Sequence, residues 1–318
     1  MNQKFRKINP EGLLFFDIET VRKQDVLDVD STEFSLFQYK NRDKTTGALL
    51  PYDEVASLYE KSAALFPPHN KIVCISVGYI RNNSLVVKAI TGDQKSIIEE
   101  FYNLLNTRNL IPCGANIIAF DMPIVRMKAF EEKVEVILND KFSDVGQKPW
   151  TMEDNFVDIM ALFKGTYYNA LSLNELAYMS GVPSSKDDID GSQVSQVYYR
   201  EEGGIKRIAT YCNKDVICTA KIFLAMQGKH DFIQEVIDKT DVVEEIIVKT
   251  DVMEEVKQLS LMQKIAATKT ITEEQQIELI TKFKNVKKAQ RVKSVGIIRT
   301  GLQDNAEYYE PFLKTLEK

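Results

Sequence analysis

Apolar runs and amphipathic stretches alternate along the first two-thirds of the chain. The continuous apolar run Leu13–Phe16 is typical of a strand that is buried on both faces. Residues 71–80 and 84–91 are rich in β-branched side chains and are separated by a short polar turn, which predicts a hairpin. Residues 94–107 place their apolar side chains on one helical face, and residues 205–226 predict the longest helix of this region.

Shorter signals complete the pattern. Residues 111–116 predict another strand, and Pro123 fits the first turn of a helix, where a missing N–H costs nothing. Ser172–Glu175 is a capping box that opens a further helix. Residues 156–163 indicate a strand or a strand that enters a helix, whereas residues 22–60 have weak periodicity and suggest an excursion over the surface. Strands alternating with helices after an opening hairpin predict an α/β fold, with a mixed β-sheet flanked by helices.

The chain changes character near residue 228. Residues 231–260 are acidic, whereas residues 281–300 contain basic side chains and no acid. We therefore predict a first domain over residues 1–228 and a helical, charged tail over residues 229–318. This tail has three interpretations: it docks a replication or repair protein, it contacts DNA, or it is a solvated helical surface.

Composition narrows the classes of function. The net charge of −5 disfavours a protein that binds polyanions through its overall field. Two histidines are too few for His-rich zinc sites and disfavour most His-based triads. No apolar run approaches the length of a bilayer span. The four cysteines form no CxxC pair and have apolar neighbours, so we expect reduced, buried thiols in a cytoplasmic protein: Cys74, Cys113, Cys212 and Cys218.

Three short patterns carry candidate chemistry. Asp17 and Glu19 stand two apart at the end of a buried strand, so both carboxylates can emerge on one face. Asp121 follows an apolar stretch near a predicted helix start, where an ordinary N-cap is the simpler interpretation. Tyr211 and Asp215 are one turn apart on the long helix. Each pattern alone is weak, since acids often end strands and cap helices.

Together the three patterns are specific. The segments 16–20 (FDIET), 116–121 (NIIAFD) and 211–215 (YCNKD) resemble, in order and spacing, the motifs of the DEDD exonuclease superfamily in its tyrosine subclass. That subclass includes the proofreading domains of family A and family B DNA polymerases. The chain looks most like the bacterial and phage family of predicted 3′–5′ exonucleases related to the family B proofreading domain, over residues 12 to about 226. Further segments that carry this resemblance are Phe66–Ser76, Lys148–Trp150 and Gly181–Val194.

The resemblance implies a ribonuclease-H-like sheet and a two-metal site. Asp17, Glu19 and Asp215 would hold one ion, while Asp17 helps to hold the second and Asp121 supports it. Oxygen-only ligands favour two Mg²⁺ or Mn²⁺ ions over zinc. Tyr211 would orient the attacking water, because an ordinary phenol has a pKa of about 10 and is a poor base at neutral pH.

The same resemblance implies contacts with the substrate. Asn116 and Phe120 align with positions that contact the terminal nucleotide, although Phe120 could equally be a core residue. Lys186 could meet a backbone phosphate or be a solvated loop lysine. The expected partner is nucleic acid, with single-stranded or frayed 3′ ends of DNA favoured. RNA is an alternative substrate, and a non-catalytic scaffold is disfavoured because the four acids and the tyrosine all stand at their motif positions.

Overall fold

The computed structural model describes residues 3–108, 110–135, 156–161, 171–185 and 188–242, single residues and pairs between 271 and 302, and residues 305–317. Over these residues the strands are β1 (Leu13–Arg22), β2 (Asn70–Arg81), β3 (Ser84–Thr91), β4 (Ile111–Gly114), β5 (Val157–Asp158) and β6 (Glu235–Asp238). The helices are α1 (Gln3–Arg6), α2 (Thr32–Lys40), α3 (Tyr52–Ser62), α4 (Gln94–Arg108), α5 (Asp121–Glu131), α6 (Leu173–Ser180), α7 (Val194–Arg200), α8 (Gly204–Met226) and α9 (Ala306–Glu317).

One mixed sheet organises the larger part of the chain. Its strand order is β5-β4-β1-β2-β3-β6. The pairs β1–β2 and β2–β3 are antiparallel, as the predicted hairpin requires. The pairs β1–β4, β4–β5 and β3–β6 are parallel. The sheet is therefore mixed, with β1 near its centre.

Strand β1 is buried on both faces, as its apolar run predicted. Leu13 and Phe15 pack into a core with α8, including Phe223. The alternate residues Leu14 and Phe16 pack into a second core with α4 and α5 on the opposite face. This alternation follows from the two-residue period of a strand. The predicted α/β fold, with a ribonuclease-H-like mixed sheet flanked by helices, is confirmed.

The segment between β1 and β2 is more ordered than its weak periodicity predicted. It contains α2 and α3, which share a small core that includes Phe34, Phe37 and Tyr59. Ser31 caps α2, because its hydroxyl accepts the Phe34 N–H at 3.0 Å. Both helices are only about three turns long, and so few turns give a weak periodic signal in the sequence.

The chain divides into two compact units, Met1–Glu245 and Ile246–Lys318. Strand β6 belongs to the sheet of the first unit, so the prediction of a wholly helical segment after residue 228 is corrected there. A four-residue strand in an acidic stretch is recognisable only through its pairing partner, β3. The functional division at residue 228 stays a prediction. Lys186 lies outside the described residues.

The second unit has a core of its own and the expected C-terminal helix, α9. Arg299 forms ion pairs with Glu310 and Glu317 of α9 at 3.0 and 3.1 Å. Among the described residues, the buried apolar side chains of this second core are Ile271, Leu279, Val295, Ile298, Leu302, Leu313 and Leu316. Among the described residues of the whole chain, no helix is both long enough and apolar enough to cross a membrane.

Candidate active site

The C-terminal half of β1 supplies two acids to one face of the sheet. Asp17 and Glu19 have the same parity as Leu13 and Phe15, so they face α8. Asp17 pairs with Ser76, and Glu19 pairs with Cys74 across the β1–β2 ladder. The register shifts directly after Glu19, and irregularities of this kind redirect side chains next to functional sites.

Helix α8 brings the third motif over these acids. Tyr211 and Asp215 are one helical turn apart and only 6% and 7% exposed. The Asp215 carboxylate lies close enough to the Tyr211 phenol to raise its pKa, and both side chains interact electrostatically with the acids of β1. Cys212 lies between them in sequence, and its Sγ is 3.6 Å from Asp17 Oδ2. The strand and the helix therefore bring the first and third motifs together.

Asp121 joins the site from the other side of β1. It is the first residue of α5 and is 3% exposed. Its Oδ1 accepts the backbone N–H of Ile18 at 3.2 Å. Since Ile18 stands between Asp17 and Glu19, this bond ties the start of α5 to the strand that carries the other acids. Asp121 is therefore more than the ordinary helix cap that the sequence suggested.

These four side chains, Asp17, Glu19, Asp121 and Asp215, are called the acidic cluster below. Burial raises the pKa of Asp17 and Glu19 well above the ordinary range, and the charge of Asp215 is the next cause for both. Burial is also the main reason why the pKa of Asp121 rises to about 7. Ionised carboxylates crowded in a buried site are costly unless protons or cations neutralise them. The arrangement therefore fits a site for cations.

The donor atoms indicate the kind of cation. Ligand atoms of Asp17, Glu19 and Cys212 all lie within 4.8 Å of one another. Burial raises the pKa of the Cys212 thiol, which keeps the sulfur protonated and makes it a poor ligand. Carboxylate oxygens dominate the cluster, and they suit hard divalent cations such as Mg²⁺ or Mn²⁺.

Cys212 is a neighbour that the sequence analysis did not assign to the site. The available signal was its spacing of three residues from Asp215, which places both side chains on one face of α8. All four cysteines are buried and form no disulfide, as expected. What the sequence could not give is the position of Asp17 beside the sulfur, because that contact joins β1 to α8 across most of the chain.

The predicted substrate contacts lie next to Asp121. Asn116 and Phe120 occupy the loop between β4 and α5, and Asn116 has a left-handed backbone with φ of 66°. Phe120 is partly buried and packs against the core formed with α4 and α5. This contact supports the alternative interpretation of Phe120 as a core residue, although the side chain is only partly buried.

Acidic side chains gathered between a central strand of a mixed sheet and a long helix define an α/β domain with a candidate cation site. Residues 65–284 match the family described as predicted 3′–5′ exonucleases related to the exonuclease domain of PolB. The match spans more than half of the chain, and the chain belongs to this family. It includes Asp121, Tyr211 and Asp215, while Asp17 and Glu19 precede it. No curated protein matches the sequence.

Membership of this family implies a nucleic-acid substrate and nuclease activity. The family match and the geometry are complementary evidence. The match covers the segments that contain the second and third motifs, and the fold brings the two acids of β1 to those segments. The expected divalent-metal chemistry is in keeping with the acidic cluster, whose oxygen donors fit such ions.

Proposed function

We propose that this chain is a 3′–5′ exonuclease that removes nucleoside 5′-monophosphates from single-stranded or frayed 3′ ends of DNA. The observation that carries the proposal is the convergence of three buried acids, the partly exposed Asp17 and a tyrosine from β1, α5 and α8. The pKa values of Asp17, Glu19 and Asp121 are raised, and carboxylates with perturbed pKa values cluster at functional sites. The family description supplies the direction of cleavage.

Two divalent ions, Mg²⁺ or Mn²⁺, would be held by the acidic cluster. Asp17, Glu19 and Asp215 would hold one ion, and Asp17 would share the second with Asp121. When bound, such ions supply Lewis-acid stabilisation to the attacking and departing oxygens of a phosphodiester. The chain itself contributes the fixed geometry, because the bond from Ile18 N–H holds Asp121 against the strand of the other acids.

Tyr211 orients a reacting group and does not act as a base. Burial and the neighbouring carboxylates raise the pKa of its phenol further above the ordinary value of about 10. The hydroxyl therefore keeps its proton at neutral pH and acts as a hydrogen-bond donor. In the reaction we assign it to hold the attacking water, or a phosphate oxygen, in line with the bond that breaks.

The preference for DNA rests on the relation to the exonuclease domain of PolB. Asn116 and Phe120 are assigned to the terminal nucleotide, since both stand in the loop that leads into Asp121. We assign the partly exposed Phe120 to stacking on the terminal base, a contact that tolerates any sequence. Lys186 is assigned to a backbone phosphate. The same acids would serve RNA equally well, so the sugar has to be settled by the assay.

The assay uses the purified full-length chain with DNA strands labelled at either end. In Mg²⁺ or Mn²⁺, a 5′-labelled strand should shorten stepwise, and a 3′-labelled strand should release labelled mononucleotide at once. EDTA and the variant Asp215→Asn should abolish both results. An RNA strand of the same sequence shows which sugar is accepted. A folded protein that cleaves neither polymer in either metal would favour a scaffold that has kept the fold without the activity.

For the second unit we propose contact with a replication or repair protein. A variant that ends at Glu245 keeps β6 and tests this separately. Unchanged DNA affinity and salt dependence in this variant would exclude DNA contact by the second unit and leave the protein partner and the solvated surface, which a pull-down with the full-length chain then separates. A weaker affinity with a smaller salt slope would instead mean that the second unit contacts the phosphate backbone.

A further inference from the structure

Asp158 is a buried acid whose surroundings differ from those of the acidic cluster. It is the last residue of β5 and is 5% exposed. Its Oδ1 accepts the backbone N–H groups of Asn116 at 3.0 Å, Met160 at 3.0 Å and Ala161 at 3.1 Å. Its Oδ2 accepts the N–H of Ile118 at 3.2 Å.

These four bonds determine what Asp158 can do. Three backbone N–H groups converge on Oδ1 and one donates to Oδ2, so the chain occupies most of the roughly four acceptor sites of the carboxylate. Asp158 is therefore poorly suited to bind a cation or to exchange a proton with a substrate. Bonds from neutral donors to an ionised acceptor are among the stronger hydrogen bonds in proteins. Its role is to fix the backbone that donates to it.

The backbone in question is the loop from Gly114 to Asp121. Gly114 pairs with Asp158 in the sheet, and the Ile159 N–H donates to the Gly114 carbonyl at 2.9 Å. Two of the four N–H groups, those of Asn116 and Ile118, belong to this loop. The Asn116 backbone is held in the left-handed region, which an asparagine tolerates better than most residues. The two hydrogen bonds from Asn116 and Ile118 to Asp158, called the clamp below, therefore hold the loop in a conformation that it would not favour alone.

The loop ends at Asp121, which is a member of the acidic cluster. The Phe120 N–H donates to the Asn116 carbonyl at 3.0 Å, and the Met122 N–H donates to the Ile117 carbonyl at 3.0 Å. Each turn thus builds on the one before it, from the clamped Asn116 to the first turn of α5. Asp121 lies at that turn and bonds to β1.

We propose that Asp158 is a positioning residue for the reaction. By clamping the β4–α5 loop, it holds Asn116 and Phe120 towards the terminal nucleotide and keeps the Asp121 carboxylate beside the acids of β1. This inference rests on the proposed function. Asp158 touches neither substrate nor metal in this account, and it acts through the loop.

The test compares Asp158→Asn with Ser172→Ala in the full-length chain. The asparagine keeps the size of the side chain but replaces one acceptor oxygen with an amide group that cannot accept a hydrogen bond. Ser172→Ala removes a different acceptor of a backbone N–H, the N-cap hydroxyl of α6, whose hydrogen bonds form a capping box with Glu175. Both variants should lower the melting temperature, so stability alone does not distinguish them.

Cleavage kinetics, measured well below the melting temperatures of both variants, distinguish Asp158→Asn from Ser172→Ala. Asp158→Asn should lower kcat and raise the Mg²⁺ concentration for half-maximal activity by about tenfold each, the usual scale for residues that orient ligands. Ser172→Ala should leave both quantities unchanged. Hydrogen exchange should be faster over residues 116–121 in Asp158→Asn only. Faster exchange with unchanged kcat, KM and Mg²⁺ dependence would overturn the proposal and reduce Asp158 to a structural role.

Two further measurements keep the test decisive. If Asp158→Asn does not fold, Asp158→Glu retains the charge and both oxygens, and it should show the same kinetic changes to a smaller degree; wild-type kinetics in it would overturn the proposal. If the wild-type chain cleaves no nucleic acid, the proposed function fails. Mn²⁺ titration then still tests the positioning, since Asp158→Asn should bind Mn²⁺ about tenfold more weakly than wild type. Equal affinity would overturn it.

Discussion

Asp158 on β5 and the acidic cluster around β1 are carboxylate sites whose charges are satisfied in opposite ways. Asp158 receives four backbone N–H groups, and its charge is met by the chain itself. In the acidic cluster, burial and the neighbouring acids raise the pKa of Asp17 and Glu19. The first arrangement stabilises a fold, whereas the second costs stability until a cation arrives.

The difference teaches how to separate structural acids from functional ones. Burial alone does not do so, because Asp158 and Asp121 are 5% and 3% exposed. The number and kind of donors around each carboxylate is the better criterion. A fold that gathers acids without enough donors gives up stability, and such sacrifices concentrate at functional sites.

The largest effect should come from removing an acid of the cluster. Asp17→Ala should lower kcat by about a thousandfold or more, since it removes charge stabilisation on which both ions depend. Tyr211→Phe should lose only about tenfold, the worth of a single hydrogen bond. Single-turnover cleavage of a labelled DNA strand measures both. Equal and complete loss in the two variants would contradict the division of roles between the acids and the tyrosine.

A large effect is also expected from pH and metal together. The folded metal-free protein holds protons on acids whose pKa is raised, to about 7 for Asp121, while the unfolded chain releases them near pH 4. Stability in EDTA should therefore fall as pH rises from about 4 to 7. Saturating Mg²⁺ should raise the melting temperature by about 5–10 °C at pH 8.

Mg²⁺ should raise the melting temperature much less at pH 5, because protons occupy the acids there. Thermal melts followed by circular dichroism, with and without EDTA at both pH values, measure the four temperatures. A gain of the same size at pH 5 and pH 8 would mean that the cation binds elsewhere. That result would contradict the assignment of the acidic cluster as the cation site.

The loop held by Asp158 should tolerate little change in shape. A Cβ on Gly114 would lie 2.2 Å from Ile117 Cγ2 and 2.8 Å from the Phe16 carbonyl oxygen. Gly114→Ala should therefore cost about 3 kcal/mol, at the upper end for overpacking, because one of these contacts is backbone. Gly12→Ala is the matched control, since its Cβ meets nothing within 4 Å. Denaturant unfolding that finds equal stabilities for the two variants would show that the loop readily adjusts.

The smallest effects give the sharpest contrast, because they differ in sign. In EDTA at pH 8, Asp17→Asn should raise the free energy of unfolding by about 1 kcal/mol or more, since it removes a buried, repelled charge. Asp158→Asn should lower it by about 1–3 kcal/mol, because it leaves buried N–H groups without an acceptor. Urea titrations measure both values. Destabilisation of similar size in both variants would erase the distinction between the two kinds of acid.

Local patterns predicted most of the fold. The run Leu13–Phe16, the hairpin of β2 and β3, the capping box at Ser172 and the long helix α8 all stand as expected. Each depends on residues close in sequence, such as the reciprocal bonds of Ser172 and Glu175. Two features did not follow from local pattern. The helices α2 and α3 are short, and β6 is defined only by its pairing with the distant β3.

The sequence predicted which residues belong to the candidate site, but it did not predict the contacts between them. The motif spacing selected Asp17, Glu19, Asp121, Tyr211 and Asp215, and the fold brings these five together. The place of Cys212 beside Asp17 depends on how α8 lies against β1. The clamp at Asp158 joins residues about forty positions apart. Such contacts arise from tertiary packing, which a single sequence does not encode in any local pattern.

The central claim is that the acidic cluster binds divalent cations, because burial and neighbouring acids raise the pKa values of Asp17, Glu19 and Asp121. The most direct measurement is a calorimetric titration of Mn²⁺ into the metal-stripped full-length protein at pH 8, beside Asp17→Asn. The account predicts saturable binding to the wild type and a loss of most of that binding in the variant. Equal binding by the two proteins, or none by either while both remain folded, would contradict it.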